Sequence, residues 1–443
     1  MAIVKPFRCV RPAAELAARV AALPYDVYNS GEAREEVERE PLSFLRIDRA
    51  EVNFGPEISS SDPCVYEKAA ELLRTAESDG TYLTESVPCF FLYELTMDGR
   101  SQTGVVGCAG VDDYRTGVIR KHENTRADKE EDRVRHVDTC DAQTGPIFLA
   151  YRTCGPVQEV IRQVKKEKPL YDFVSPDGIG HRVWRIEEQE RLRVIEEGFG
   201  TLPSLYIADG HHRAASAVRA ALLRREAQPD YTGEEPFNYF LSVLFCEEEL
   251  RIMDYNRVLR DLNGLTPGQI LERLEEKFRV IGCGKKQVRP QAKGEMGLYL
   301  DGSWYHLTVR EEFGMDDPVE GLDVAFLQRE VLEPIFGIKD PRTDSRIDFV
   351  GGIRGLSELE RRCHEDMAAA FAMYPTGIGE LFAVADAGKL MPPKSTWFEP
   401  KLRSGLFIHP LSDEARPGGA WVRGSERVYE KIAQTSRFAV TRK

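Results

Sequence analysis

The stretch SLYIADGHHRAASAVRAALLRRE, Ser204 to Glu226, restricts the fold more than any other. An apolar run of strand length meets Asp-Gly, and an alanine-rich run of helical composition follows. Gly210 takes a positive φ without steric cost, so the segment predicts a strand, a tight turn and a helix in direct succession. The first turn of such a helix presents unbonded N–H groups and the positive end of its dipole, which suits an anion. Arg213 adds a planar fork that matches phosphate oxygens. Asp209 is placed to cap the helix, to orient a histidine or to hold a divalent cation. His211 and His212 point in different directions on a helix, which argues against a shared zinc site.

A chain of 443 residues exceeds what one core usually serves. Soft boundaries fall near Gly155 and Leu262, dividing it into 1–155, 156–262 and 263–443. Sixty basic residues stand against 73 acidic ones, a net charge of −13. That balance counts against a nucleic-acid-coating role, which needs clustered Lys and Arg. The nine cysteines form no CxxC and no cluster with zinc spacing. Their odd number, and an N-terminus without signal-peptide character, point to a reducing cytoplasm. No apolar run approaches the ~20 residues of a membrane span.

Along the chain, apolar spacing predicts a helix over Val65–Glu77. Met97-Asp98-Gly99-Arg100 and Asp301-Gly302 mark hairpin turns. The segment FNYFLSVLFCEEELRIMDYNRVLRDL reads as strand, acidic turn, strand. Thr266 caps a helix, and LSELERRCHEDMAAAFAMY reads as one helix. No repeat or low-complexity tract occurs.

Three further stretches carry candidate chemistry. In KHENTRADKEEDR, Glu123 offers a general base to a hydroxyl nucleophile, and His122, Thr125 and Arg126 offer substrate contacts. Lys129 to Arg133 reads as a solvated charged face. In GKLMPPKSTWFEPKLRSG, two prolines fix the backbone before Lys394, Ser395 and Thr396, a charge and two hydroxyls suited to a phosphate or carboxylate. It lacks the glycine spacing of a P-loop. In DSRIDFVGGIRG, Gly351 and Gly352 permit close backbone approach to a ligand. Tyr25-Asp26 in LPYDV either binds a substrate amine or makes a turn. His306 and His364 read as structural.

Together LPYDV, HENT, KEEDR, IADGHHR, RIDFVGG and MPPKSTWFEPKLRSGL resemble the bacterial and archaeal DUF1015 family, across nearly the whole chain. ADGHHRAASA is similar to the turn of the ParB/sulfiredoxin superfamily. The resemblance implies a mixed α+β fold, with a ParB/sulfiredoxin-like nucleotide-binding core and further N- and C-terminal α+β segments. It implies that nucleotide phosphates lie at Gly210, His212 and Arg213, with Asp209, His211 and Arg213 in catalytic roles. The sulfiredoxin cysteine has no counterpart in this turn. The form DGH-x-R is similar to that of free-serine kinases.

The expectation is a small-molecule phosphotransferase, a kinase using ATP or ADP with Mg2+ held at Asp209. Its substrate would be a hydroxyl compound such as serine. Glu123 enters as the base on local chemistry, and Lys394, Ser395 and Thr396 as holders of the terminal phosphate or a substrate carboxylate. The alternatives are a ParB-like CTP- or DNA-binding protein, which needs a recognition helix and a basic face, and a phosphatase with water as nucleophile. A homo-oligomer is left open.

Overall fold

The computed structural model describes residues 1–125, 127–314 and 316–412, with the side chains of Asp128 and Lys129 outside that description. The fold is mixed α+β, and the chain divides into two compact units. Unit 1 comprises Met1–Ile119, Thr125–Glu249 and the segment from Pro400 onward; unit 2 comprises Arg120–Asn124 and Leu250–Glu399. The cut between Glu249 and Leu250 falls in the acidic turn, upstream of Leu262, while Gly155 lies inside unit 1 at the start of a helix.

Unit 1 is built on a mixed sheet. Seven of its nine strands are β1 (Phe90–Met97), β2 (Arg100–Gly110), β3 (Ile147–Tyr151), β4 (Tyr171–Val174), β5 (Gly180–Ile186), β6 (Leu205–Asp209) and β7 (Tyr239–Cys246). These seven run in the order β6-β3-β7-β2-β1-β5-β4, antiparallel except for the parallel pair β3/β7. Asp98 and Gly99 both adopt positive φ in the two-residue turn joining β1 to β2, as the Asp-Gly signal predicts.

Five helices matter for unit 1: α1 (Pro63–Ser78), α2 (Ala127–Cys140), α3 (Gly155–Val164), α4 (Gln189–Gly200) and α5 (His211–Ala227). In α3 the residues Val157, Val160, Ile161 and Val164 fall on one stripe, and all four are buried. They join Leu192, Ile195 and Phe199 of α4, and Ala214, Ala217 and Val218 of α5, in a core with the sheet residues Phe90, Leu92 and Val105. Helix α2 packs against both α1 and α5. The C-terminal segment crosses back through this unit: Val10 and Ile408 exchange both backbone hydrogen bonds, and His409 pairs with Gln143.

Unit 2 holds a six-stranded antiparallel sheet. Its strands are β8 (Tyr255–Leu259), β9 (Phe278–Gly284), β10 (Glu295–Leu300), β11 (Ser303–Val309), β12 (Ile347–Gly351) and β13 (Ala369–Met373), in the order β9-β11-β10-β13-β8-β12. Helix α6 (Pro267–Glu275) starts in a reciprocal capping box between Thr266 and Gln269. Two further helices of this unit are α7 (Leu356–Glu365) and α8 (Ile378–Asp386).

The helix read through LSELERRCHEDMAAAFAMY stops at Glu365, and its second half is β13, bonded to β10 and β8. Alanine favours helix, but a small residue also fits a strand buried on both faces, and all five residues of β13 are buried. Among the described residues, no helix is long and apolar enough to cross a membrane.

Candidate functional site

Strand β6, Gly210 and helix α5 form the strand–turn–helix unit that the sequence predicts. Gly210 is the N-cap at φ +91 and ψ +32, in the left-handed region. Asp209 does not cap the helix. Its Oδ1 accepts from the Gly210 N–H at 2.7 Å, and its Oδ2 pairs with Lys401 Nζ at 2.9 Å. Burial pushes the Asp209 carboxyl up, but the charges of Lys401 and Arg213 and these hydrogen bonds outweigh it. Its pKa is held well below the usual carboxylate range. The side chain keeps 44% of its exposure, so the pair with Lys401 contributes about 1 kcal/mol or less. A carboxylate held ionised and open to solvent is a competent ligand for a divalent cation.

The helix then turns three side chains in sequence. His211 is buried, whereas His212 and Arg213 are half-buried. The Arg213 guanidinium donates to Pro146 O at 3.0 Å and lies 3.6 Å from Asp26 Oδ1. It sits 5.9 Å from the ring centre of Tyr25, and Arg133 sits 4.2 Å from the same ring. Tyr25 is thus faced by two cations, an arrangement favoured by its ring quadrupole.

These groups line a cavity of about 40 Å³ together with Asp48, His136 and Thr144. That space admits two or three waters or a small polar group. Thr144 Oγ1 donates to Asp48 Oδ1 at 2.7 Å. His136 Nε2 lies 3.1 Å from Ile47 O, and burial, aided by Arg133, pushes its pKa down. Gly145 keeps the cavity wall thin: a side chain there would come within 3.3 Å of Ser404 Oγ and 3.7 Å of Arg213 Nη1.

The remaining sequence candidates divide between the units. Asp209, Gly210, His211, His212, Arg213 and Thr125 belong to unit 1; His122, Glu123, Lys394, Ser395 and Thr396 belong to unit 2. Arg126 lies outside the described residues. Thr125 Oγ1 bonds locally to Glu130 Oε2 at 3.2 Å. His122 is buried, and its carbonyl accepts from the Met391 N–H at 2.8 Å, which ties the His-Glu stretch to the start of the MPPKST loop. Ser395 is buried and closes that loop on itself, donating from Oγ to Pro392 O at 2.6 Å, so it does not face outward as a cradle hydroxyl. Gly351 and Gly352 make room for protein rather than for a ligand. A Cβ at Gly351 would overlap Trp397 at 2.7 Å, and one at Gly352 would overlap the Asp254 carboxylate.

Arg133, read from sequence as part of a solvated face, is turned inward. It pairs with Asp132 at 2.8 Å and has 12% side-chain exposure. Asp48, His136 and Thr144 carry no local signal, because only the packing of α2 and the return of the chain at β3 bring them together.

Residues 4–325 match the family model described as Protein of unknown function (DUF1015). The chain belongs to the DUF1015 family. No curated protein matches this DUF1015 chain. Three solved structures show a distant likeness. A free serine kinase variant in complex with AMP shares 13% identity over 70% of this chain and 91% of that one, at a TM-score of 0.34. SbnI with a C-terminal truncation from Staphylococcus aureus shares 12% over 74% and 96%, at 0.37. A conserved hypothetical protein from Pyrococcus furiosus shares 14% over 69% and 94%, at 0.31. At TM-scores this low the superposition is too loose to carry chemistry from one chain to another.

Proposed function

We propose that this DUF1015 protein is a small-molecule phosphotransferase that binds a Mg2+-nucleotide, ATP or ADP, at the Gly210 turn. The observation that carries the reading is the turn itself: a left-handed glycine at a helix N-terminus, with an ionised, part-exposed Asp209 beside Lys401. Helix N-termini bind phosphate through their N–H groups and dipole. Phosphoryl transfer asks mainly for positioning and charge stabilisation, and clustered donors with one metal-binding carboxylate supply both.

In this reading Asp209 holds the cation and the N-terminal N–H groups of α5 hold phosphate oxygens. His211 and His212 supply further donors. Arg213 keeps the turn against Pro146 and Tyr25 while adding positive charge. Glu123 is assigned the role of general base to a substrate hydroxyl, such as that of serine, from its chemistry alone.

The test is a thermal-shift panel of ATP, ADP and CTP, each with and without Mg2+ and with and without L-serine, on the full chain, D209N and R213Q, together with a turnover assay of the full chain and E123Q. A ligand that binds only the folded state raises Tm by mass action, about 2.7 kcal/mol of stabilisation at a hundred times Kd. The reading expects stabilisation by ATP or ADP that D209N weakens only when Mg2+ is present, and turnover that Glu123→Gln abolishes. Stabilisation by CTP alone, or activity on phosphoserine without nucleotide, would replace it with a CTP-binding or a phosphatase reading. No nucleotide response at millimolar concentration would remove the turn from nucleotide chemistry.

A further inference from the structure

Unit 2 contains a buried guanidinium with no carboxylate beside it. Arg257, on β8, is 3% exposed. Its Nη1 donates to Tyr255 O and its Nη2 to Lys394 O, the latter at 3.0 Å. The group lies 5.4 Å from the ring centre of Phe349, its cross-strand partner on β12. The other inner arginines are matched differently: Arg11 pairs with Glu85, Arg133 with Asp132, Arg224 with Asp141, Arg225 with Asp112 and Arg403 with Asp177. Among the described residues, no ion pair includes Arg257.

A buried charge without a counter-charge is costly, and two carbonyl bonds occupy only two of the five N–H donors of a guanidinium. The strain shows in its pKa, which burial lowers to about 10.

The loop above Arg257 is built to a fixed shape. Lys394 adopts φ +59, a left-handed conformation that a non-glycine residue holds only when its surroundings enforce it. The enforcing contacts are the Arg257 bond to the Lys394 carbonyl, the Ser395 hydroxyl on Pro392 O, and the Thr376 hydroxyl on Ser395 O at 2.9 Å. Trp397 closes the side, 4.9 Å from Tyr255 and against Gly351. The Lys394 side chain is exposed, and its Nζ lies 5.7 Å from the ring centre of Tyr255, the residue whose carbonyl Arg257 also holds. No described ion pair includes Lys394 either. The Arg257 guanidinium thus touches the backbone of Lys394, and both cations stand beside aromatic rings. The acid beside this wall, Glu399, accepts from Trp397 Nε1 at 3.0 Å instead of pairing with either. A planar guanidinium with spare donors beside an ammonium suits an oxyanion.

We propose that Arg257 and Lys394 form an oxyanion-binding subsite in unit 2, which takes the phosphate or carboxylate group of a small-molecule ligand. Arg257 supplies the guanidinium N–H groups left over from its two carbonyl bonds, and the exposed Lys394 supplies a second positive charge. This subsite does not depend on the nucleotide reading of the Gly210 turn, and the two fail separately.

The experiment titrates orthophosphate and, in a second arm, acetate into the full chain, each against sodium chloride at equal ionic strength. Binding is read by calorimetry and thermal shift in the wild type, K394A, R257Q and R213Q. Glutamine at 257 keeps amide donors for the two carbonyls while removing the charge; K394A alters only an exposed side chain and remains informative if R257Q fails to fold. The expected result is saturable binding of at least one anion in the wild type and R213Q, weakened about tenfold in K394A and lost in R257Q. The arm that responds more strongly identifies phosphate or carboxylate as the guest. Equal affinity in the wild type and K394A would overturn the proposal, as would a response lost in R213Q alone or no response beyond chloride.

Discussion

Replacing Gly210 by alanine isolates the contribution of the left-handed turn, because a side chain there has space. The added Cβ would meet Ile147 Cα at 3.7 Å and Arg213 Cβ at 3.9 Å, both ordinary contacts. The cost is therefore backbone conformation alone, about 1–2 kcal/mol for an L-residue in the left-handed region. Alanine also restricts the unfolded chain, which returns about 0.4–1 kcal/mol. The net loss works out near 1 kcal/mol.

Gly405 supplies the contrast. It too has positive φ, +85, but a Cβ there would lie 2.6 Å from Phe44 Cβ. Overpacking adds about 1–3 kcal/mol to the same backbone term, so Gly405→Ala should lose roughly 2–4 kcal/mol. Asparagine enters the left-handed region more readily than alanine, so Gly210→Asn should fall between alanine and wild type. Urea unfolding by circular dichroism gives the ranking, and hydrogen exchange at Ile207 and Ala217 confines the readout to β6 and α5. If Gly210→Ala loses as much as Gly405→Ala, the turn is sterically constrained and the separation of backbone from packing terms is refuted.

Two predictions concern pH, alongside those for Arg213, Asp209 and the Arg257–Lys394 pair. His181 is fully buried, between Tyr93 OH at 2.8 Å from Nδ1 and Ser175 Oγ at 2.9 Å from Nε2. Burial first, and Arg403 second, push its pKa down to about 3. Its contribution to stability is complete above the unfolded pKa of about 6.5 and is lost as pH falls toward 3, by an order of a few kcal/mol. Urea midpoints from pH 7 to 4 should decline more steeply for the wild type than for His181→Gln; parallel curves would contradict the assignment. Asp323 has the opposite sign. Burial raises its carboxyl to about 6, although both oxygens accept from the Gly294 N–H at 3.0 Å, so the folded state favours the protonated form. Its penalty therefore grows as pH rises from about 4 through 6, and Asp323→Asn should stabilise the chain above pH 6 by about 1–2 kcal/mol and do nothing below pH 4. Equal unfolding midpoints at pH 8 would count against it.

Much of the local structure is legible because it is decided within a few residues. Asp98-Gly99 and Asp301-Gly302 take the positive φ that two-residue hairpin turns require. Thr266 and Gln269 satisfy each other's helix-end N–H groups, and Gly210 supplies the one backbone conformation that joins β6 to α5. The DGHHR turn, as a place where an anion is favoured, is readable for the same reason: strand, glycine and helix N-terminus are consecutive.

What sequence alone leaves undecided is whatever depends on burial by distant chain. The run at Ala369–Met373 has no periodicity that separates a buried strand from a buried helix; β8 and β10 on either side choose the strand. Arg133 sits in a charged run that suits solvent, yet α2 lies against α1 and α5, and its guanidinium is turned onto Tyr25. Lys401 meets Asp209 across 192 residues of sequence, and Arg257 reaches the carbonyl of Lys394 across 137. Composition and spacing determined the turns and the helix starts, since these follow from φ restrictions and nearby hydrogen bonds, while the class of fold was implied by the family resemblance. The charges at the cavity and beneath the MPPKST loop were decided only by the tertiary structure, because desolvation and pairing depend on which remote strands return to cover them.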